Sequence, residues 1–266
     1  VVVTHSDRGR RQQTESAAIV LDCQDHGESD LIVTFFCQKL GRLTGIAKGA
    51  KRSKKRFVNK LELFSSLTIL HTTPKNGGLA FIAEAELLDG FLSLRQNVTR
   101  YTTATIIREI VLLATKEMEG DEDLYPLLLW VYMNLNRQHP HARLLIYFLI
   151  RLYKVIGYEP VLEYCFSCGQ HLHEQKSSRF HPTSGGIHCE KCSAKQENSS
   201  RIKISTGTLK SLTTAMNQPL ERLHRLQLTD ISQREALSFL NAYGYHLFQR
   251  DTNSWAFLDT VVKHPR

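Results

Sequence analysis

The chain has 266 residues, of which 42% are hydrophobic and 23% charged, close to the average of a folded globular protein and enough for one or two domains with a real core. The formal net charge is +8, and residues 1–60 carry twelve Lys/Arg against six Asp/Glu, so they hold +6 of it. A wholly disordered chain is excluded, and a polyanionic partner is favoured at the N-terminal end. The longest apolar runs, Leu127–Met133 and Leu144–Ile150, fall far short of the roughly 18 residues of a membrane span. The N-terminal VVVTHSDRGRRQQ has no signal-peptide core, so residues 1–13 are expected to be a polar tail and the location cytoplasmic.

Residues 14–90 are expected to form a β domain. Ala18–Cys23 alternates, with Ile19, Leu21 and Cys23 on one face, and Asp25-His26-Gly27-Glu28 signals a turn. Leu31–Cys37, Leu43–Ala47, Leu63–Thr72 and Leu79–Leu87 follow as strands, the last pair joined by a turn at Pro74-Lys75-Asn76-Gly77-Gly78. Five short strands at such spacing suggest a small barrel, and an OB-fold fits in size and count, with SH3-like barrels fitting nearly as well.

The apolar period changes near residue 90, and 91–266 is expected to be helical. Asn97–Glu117 has Tyr101, Ala104, Ile107, Val111 and Ala114 at helical spacing. Asp121-Glu122-Asp123 complements the dipole of the next helix, whose stripe is Leu127, Leu128, Val131 and Leu135. His141–Ile156 is apolar nearly all round, as a central helix would be, and stops at Gly157 and Pro160. Ser205 and Thr206 are candidate N-caps for 207–216, Leu220–Leu226 is short, and Ser232–Arg250 places Ala236, Phe239, Leu240, Tyr243 and Leu247 on one face. Segment 161–198 interrupts this pattern as a Cys-rich insert.

That insert carries the most specific motif. Cys165-Phe166-Ser167-Cys168 is followed after twenty residues by Cys189-Glu190-Lys191-Cys192. Two residues between cysteines let a tight turn aim both thiolates at one ion, and two such turns give the tetrahedral sulfur set that suits a structural zinc. His188-Cys189-Glu190 matches the H-x-E of zinc deaminases, but in the wrong order relative to the CxxC pairs, and four thiolates leave no coordination position for water. The nearby His171, His173, His181 and His188 are expected at the surface, and Cys23 and Cys37 as core thiols.

The second motif is the run Lys48, Lys51, Arg52, Lys54, Lys55 and Arg56, six cations without an acid, ending at Phe57. Such a run favours a phosphate backbone, Phe57 could stack on unpaired bases, and Arg42 and Lys60 flank the track. The bland alternative is a solvated loop that aids solubility. No phosphate-binding glycine loop, Walker lysine or nucleophile–base pair is evident, so the expected role is not enzymatic.

Several segments together resemble the RecO family of bacterial recombination mediators: Ala17-Ala18-Ile19-Val20-Leu21, Gly27-Glu28-Ser29-Asp30, Gly41-Arg42-Leu43, Ala47-Lys48-Gly49-Ala50-Lys51-Arg52, Leu61–Ser65, Glu84–Leu88 and Gly157-Tyr158-Glu159-Pro160 ahead of the first CxxC. The resemblance spans about residues 15–260. It implies an N-terminal OB domain, a helical domain and a zinc module, with zinc held by Cys165, Cys168, Cys189 and Cys192. It also implies binding of single- and double-stranded DNA by Lys48, Lys51 and Arg52, annealing of complementary strands, and work with RecR. Contact with the C-terminal tail of the single-strand-binding protein, loading of RecA at gaps, and action at the nucleoid in DNA repair are implied as well. A groove rimmed by Arg143 and Arg151 is the candidate seat for that tail. Tyr245–Asp251 departs from the family in being poor in positive charge. The competing expectation is a zinc-ribbon module that binds RNA or serves transcription.

Overall fold

The computed structural model describes residues 13–74, 77–175, 177–182, 184–195, 201–250, 252, 254 and 255. All of the expected tail except Gln13 lies outside these, as do Lys75 and Asn76 of the expected turn and residues 176, 183 and 196–198 of the expected insert. The described residues form two compact units. One runs to Gly90 and takes in Thr115–Tyr125; the other holds Phe91–Ala114 and continues from Pro126.

The first unit is a closed barrel of β1 (Thr14–His26), β2 (Asp30–Cys37), β3 (Gly41–Ala47), β4 (Ser66–Thr72) and β5 (Ala80–Asp89), in the order β1-β2-β3-β5-β4. It has the five strands of the OB-fold. All strand pairs are antiparallel except β3–β5, which closes the barrel through Gly45↔Ala80 and Ile46↔Phe81. Gly45 permits that closure, since a Cβ there would lie 2.6 Å from Ile82 Cδ1 and 2.9 Å from the Ala80 carbonyl oxygen. The core contains Ala18, Val20, Val33, Phe35, Leu43, Leu67, Ile69 and Ile82.

Strand β1 corrects the expected face. The register with β2 shifts between Val20 and Asp22, so a bulge falls at Leu21. Ala18 and Val20 enter the barrel core before the bulge and Cys23 packs against it after, while Ile19 and Leu21 are buried outside that cluster. One extra residue in a strand exchanges its faces, which plain alternation cannot show.

The helical spacing of Asn97–Glu117 predicts a helix that reaches Glu117, yet α2 stops at Ala114. Glu117 is instead drawn to β3: its carboxylate accepts from Arg42 Nε at 3.2 Å, Thr44 Oγ1 at 2.6 Å and Thr44 N at 3.2 Å, and Met118 N donates to Arg42 O at 2.8 Å. Gly41, at φ +68°, has no room for a Cβ because the Glu119 carbonyl oxygen would be 1.8 Å away.

The second unit contains α1 (Leu92–Arg95), α2 (Val98–Ala114), α3 (Leu124–Asn136, which starts in the first unit), α4 (His141–Val155), α5 (Glu190–Ala194), α6 (Thr206–Asn217), α7 (Leu220–Leu223) and α8 (Asp230–Phe248). Helix α4 is central, with Leu144–Ile150, Leu152 and Tyr153 buried among α2, α6 and α8. It ends in a Schellman cap: Gly157 at φ +81° donates to Lys154 O, and Tyr158 N donates to Tyr153 O at 2.7 Å. Ser205 caps α6 by accepting from Thr208 N, and Thr229 caps α8 by accepting from Ser232 N.

The Cys-rich region holds a sheet that apolar patterning did not reveal: β6 (Ser177–His181), β7 (Gly186–Cys189) and β8 (Ile202–Ser205), antiparallel in the order β7-β6-β8. Because β8 pairs with β6, the sheet reaches past residue 198 and leads directly into α6. Phe180 on β6 packs edge-on against Phe239 of α8, with centroids 5.0 Å apart, which attaches the sheet to the helices.

Candidate nucleic-acid interface and four-cysteine site

The basic run is the connection that leaves β3 at Ala47 and leads toward β4. Its two ends are tied down by burial: Ala50, Phe57 and Leu61 all join the barrel core. The tip of the β1–β2 hairpin holds its start. Gly49 N donates to Asp30 Oδ1 at 2.8 Å and Lys51 N to Ser29 O at 2.9 Å. The Gly49 bond, with the Ser29 hydroxyl and the nearby Lys48 charge, holds the Asp30 carboxyl below its ordinary value. Ala50–Arg52 is a single 3₁₀ turn, and Ser53 Oγ accepts from Phe57 N at 3.1 Å.

The six cations are not equivalent. Lys51 meets Asp25 at 2.7 Å and Arg52 meets Glu28 at 3.3 Å. Arg56 donates to the carbonyls of Lys48 and Ala83, both at 3.3 Å, and its guanidinium lies 5.1 Å from the Phe57 ring centroid. Lys48, Lys54 and Lys55 are exposed and make no ion pair among the described residues. Exposed ion pairs are worth under about 1 kcal/mol, so a phosphate can displace Asp25 or Glu28 at little cost. The loop therefore offers three unengaged lysines and two weakly held cations on one segment.

Three residues expected in or beside the track stand apart from it. Phe57 is 3% exposed and belongs to the barrel core, so its ring is not available to stack on bases. The reason is the short excursion: the loop must re-enter the barrel, and its first large apolar side chain fills the core there. Arg42 sits at the far end of β3, about 20 Å along the strand from Lys48 at 3.3 Å per residue, and is held by Glu117. Lys60 spends its ammonium on Ala85 O at 2.7 Å. The anchors Ser29 and Asp30 and the acid partner of Arg42, Glu117, were not singled out as site residues. Adjacency of Ser29-Asp30 to a hairpin turn was the available signal for the first two, whereas Glu117 lies 75 positions from Arg42 and gives none.

The four cysteines come together. The Sγ atoms of Cys165, Cys168, Cys189 and Cys192 all lie within 4.8 Å of one another, and those of Cys168 and Cys189 are 3.9 Å apart. A tetrahedron with metal–sulfur bonds of about 2.3 Å has edges of about 3.8 Å, whereas a disulfide needs about 2.05 Å. The thiols are free and spaced as metal ligands. Gly169, at φ +70°, lets the first turn close, with Gly169 N donating to Cys165 O at 2.9 Å. The second pair spans the end of β7 and the first turn of α5. Burial raises the Cys165 thiol, but N–H groups of Cys189, Cys168 and Ser167 aimed at its sulfur outweigh that and bring it to about 7. The four thiols share their protons unequally, since hydrogen bonds from Cys168 and Cys189 push Cys192 up to about 12 while Cys165 comes down. Cys37 and Cys23, by contrast, are pushed up by burial to about 12 and about 11.

The histidines correct an expectation. His181 and His188 are buried, not at the surface, because the face of β6 and β7 that carries them is covered. Burial holds both below the ordinary histidine range, so both are neutral near pH 7. His188 hydrogen-bonds through Nδ1 with Ser167 Oγ and through Nε2 with Ser184 Oγ, each at 2.9 Å, and His181 Nε2 with Ser193 Oγ at 2.8 Å.

Arg143 and Arg151 spend their guanidinium groups within the helical unit. Arg143 donates to Leu226 O and Gln227 Oε1, and Arg151 to Ala215 O at 2.7 Å and to Gln218 O. They fasten α4 to the end of α6 and to the segment after α7. No helix among the described residues is long and apolar enough to cross a membrane.

The burial of Phe57 gives a direct test. Phe57→Ala should lower the stability of the barrel by about 3–5 kcal/mol in urea unfolding, as large-to-small core changes do. Its affinity for single-stranded DNA, corrected for the folded fraction, should stay within twofold. A large loss of affinity at unchanged stability would return Phe57 to the binding surface.

Comparison with known proteins agrees with this architecture. Residues 11–91 match the family description "Recombination protein O N terminal" and residues 95–256 match "Recombination protein O C terminal". The "DNA repair protein RecO" of Syntrophus aciditrophicus is 30% identical over 253 residues, covering 95% of this chain and 98% of that protein. That of Syntrophobacter fumaroxidans is 32% identical, covering 80% and 84%, and that of a Roseiflexus species is 31% identical, covering 96% and 87%. With both halves matched in order and relatives aligned almost end to end, the chain belongs to the recombination protein O family.

Proposed function

We propose that this protein is a non-enzymatic DNA-binding mediator of recombinational repair. It holds single- and double-stranded DNA, pairs complementary strands, and works with RecR and the tail of the single-strand-binding protein so that RecA can be loaded. The observation that carries the proposal is the anchored loop with Lys48, Lys54 and Lys55 exposed and without an ion pair among the described residues, Arg52 held by an exposed acid, and Lys51 held by Asp25 and the Gly27 carbonyl, in a chain whose relatives are DNA repair proteins. Each lysine that meets a phosphate releases condensed counterions, which drives binding without regard to sequence. A strand whose charge is partly neutralised repels its complement less, so pairing is accelerated with no covalent chemistry. With Phe57 in the core, phosphate contact rather than base stacking is the main source of affinity at this loop.

The four cysteines fit a structural zinc ion, and Cys165, Cys168, Cys189 and Cys192 would hold it. Zinc would supply folding energy to a small sheet whose own apolar core is slight. Four thiolates fill its coordination shell and give it no part in a reaction.

Two outcomes follow. Replacing Lys48, Lys54 and Lys55 together by Ala should slow the annealing of complementary oligonucleotides at least tenfold, read by energy transfer between labelled strands, while Arg42→Ala should change it less than threefold. Annealing unaffected by the triple change would remove the loop from the mechanism. Zinc analysis should find one ion per chain. Chelation should expose the amides of Ser177–Cys189 to hydrogen exchange and leave those of β1–β5 protected; equal protection before and after would show that no ion supports the module.

A further inference from the structure

Beside the cysteine turns lies a polar chain, centred on the buried His181 and His188, that the metal reading does not use. Ser167, the residue between Cys165 and Cys168, reaches His188 Nδ1 at 2.9 Å. The other nitrogen of His188 meets Ser184 Oγ at 2.9 Å. Ser184 sits in the β6–β7 turn, where its N–H and that of Gly185 donate to His181 O at 3.2 and 3.0 Å. The His181 ring stands edge-on to His188, centroids 4.7 Å apart, and its Nε2 meets Ser193 Oγ at 2.8 Å. Ser193 follows Cys192 on α5 and is 1% exposed. Phe166, also inside the first CxxC, stacks edge-on against His188 at 5.6 Å. Gly186 lies so close beneath Phe166 that a Cβ would be 2.4 Å from Phe166 Cγ.

Every link touches a residue beside a cysteine or in the hairpin that carries one. The first turn is exposed at Phe166, Ser167, Cys168 and Gly169, with few apolar contacts to fix its orientation. A neutral imidazole has one donor and one acceptor, and a serine hydroxyl can serve as either, so both nitrogens of His188 are satisfied in either tautomer. Burying two histidines costs desolvation, which their hydrogen bonds to Ser167, Ser184 and Ser193 offset. Partners outside the ligand shell orient ligands, and losing one commonly costs 10–100-fold in metal affinity.

We propose that His188, backed by His181, is a positioning residue of the four-cysteine site, clamping the first CxxC turn through Ser167 and the helix of the second through Ser193, so that the folded module holds the four sulfurs in the geometry an ion requires. The inference rests on the reading of the cysteines as a zinc site. The test uses the full chain and zinc titrated against a competing chromophoric chelator, with cobalt(II) absorption as a report on tetrahedral thiolate geometry. Wild-type protein that binds neither ion would refute the zinc reading itself. Given wild-type binding, Ser167→Ala and His188→Leu should each weaken zinc at least tenfold and lower the cobalt thiolate bands. The double change should be no worse than His188→Leu alone, since both cut one link. His188→Asn, which can keep a hydrogen bond at the Nδ1 position, should recover most of the loss. Ser167 is exposed, so Ser167→Ala should keep its circular dichroism. Zinc affinity within twofold of wild type in Ser167→Ala, or additive losses in the double variant, would overturn the clamp.

Discussion

Like charges confined to a short loop repel, and the structure is arranged around holding them together. Two unit charges about 8 Å apart in water repel by about 0.5 kcal/mol, and Lys48–Arg56 contains six of one sign. Left alone, such a segment would extend into solvent. Here Phe57 at one end contributes about 2–3 kcal/mol by burial, Ala50 and Leu61 add to it, and Asp30 fixes the backbone at the other end. The barrel thus keeps cations close that would otherwise separate, and it does so without neutralising Lys48, Lys54 or Lys55. An anchored array of this kind loses less entropy on meeting a phosphate backbone than a free one.

The acids near the loop sharpen this arrangement. Asp25 and Glu28 lie on the β1–β2 hairpin and meet Lys51 and Arg52 across its tip. They temper repulsion in the unbound protein yet are too exposed to hold those cations against a polyanion. Asp30 differs in kind. Its carboxylate is bound to the Gly49 amide, not to a cation, and is part of the scaffold.

Much of this organisation is legible in the sequence. The five strands, the central helix at His141–Ile156 and the CxxC pairs follow from periods and spacings that act locally, and each occurs within a few residues of its expected place. The misses are non-local. The face of β1 depends on a bulge at Leu21 set by its pairing with β2. The end of α2 depends on Glu117 being drawn to Arg42 and Thr44, 75 and 73 positions away. Phe57 adjoins a cation run, as a base-stacking residue would, and only the return of the chain into the barrel decides its role. Ser177–His181 and Gly186–Cys189 lack alternating aliphatics because hydrogen bonds and the cysteine cluster, more than a large core, hold them.

The central claim is that a sequence-independent, counterion-driven grip is exerted by lysines that the fold leaves unengaged. Its most direct test is the dependence of single-stranded DNA affinity on salt, measured by fluorescence anisotropy for the intact protein and for the variant lacking Lys48, Lys54 and Lys55. At about 0.7 per phosphate contact, the slope of log K against log salt should be shallower in the variant by about 2. Equal slopes for the two proteins would contradict the account.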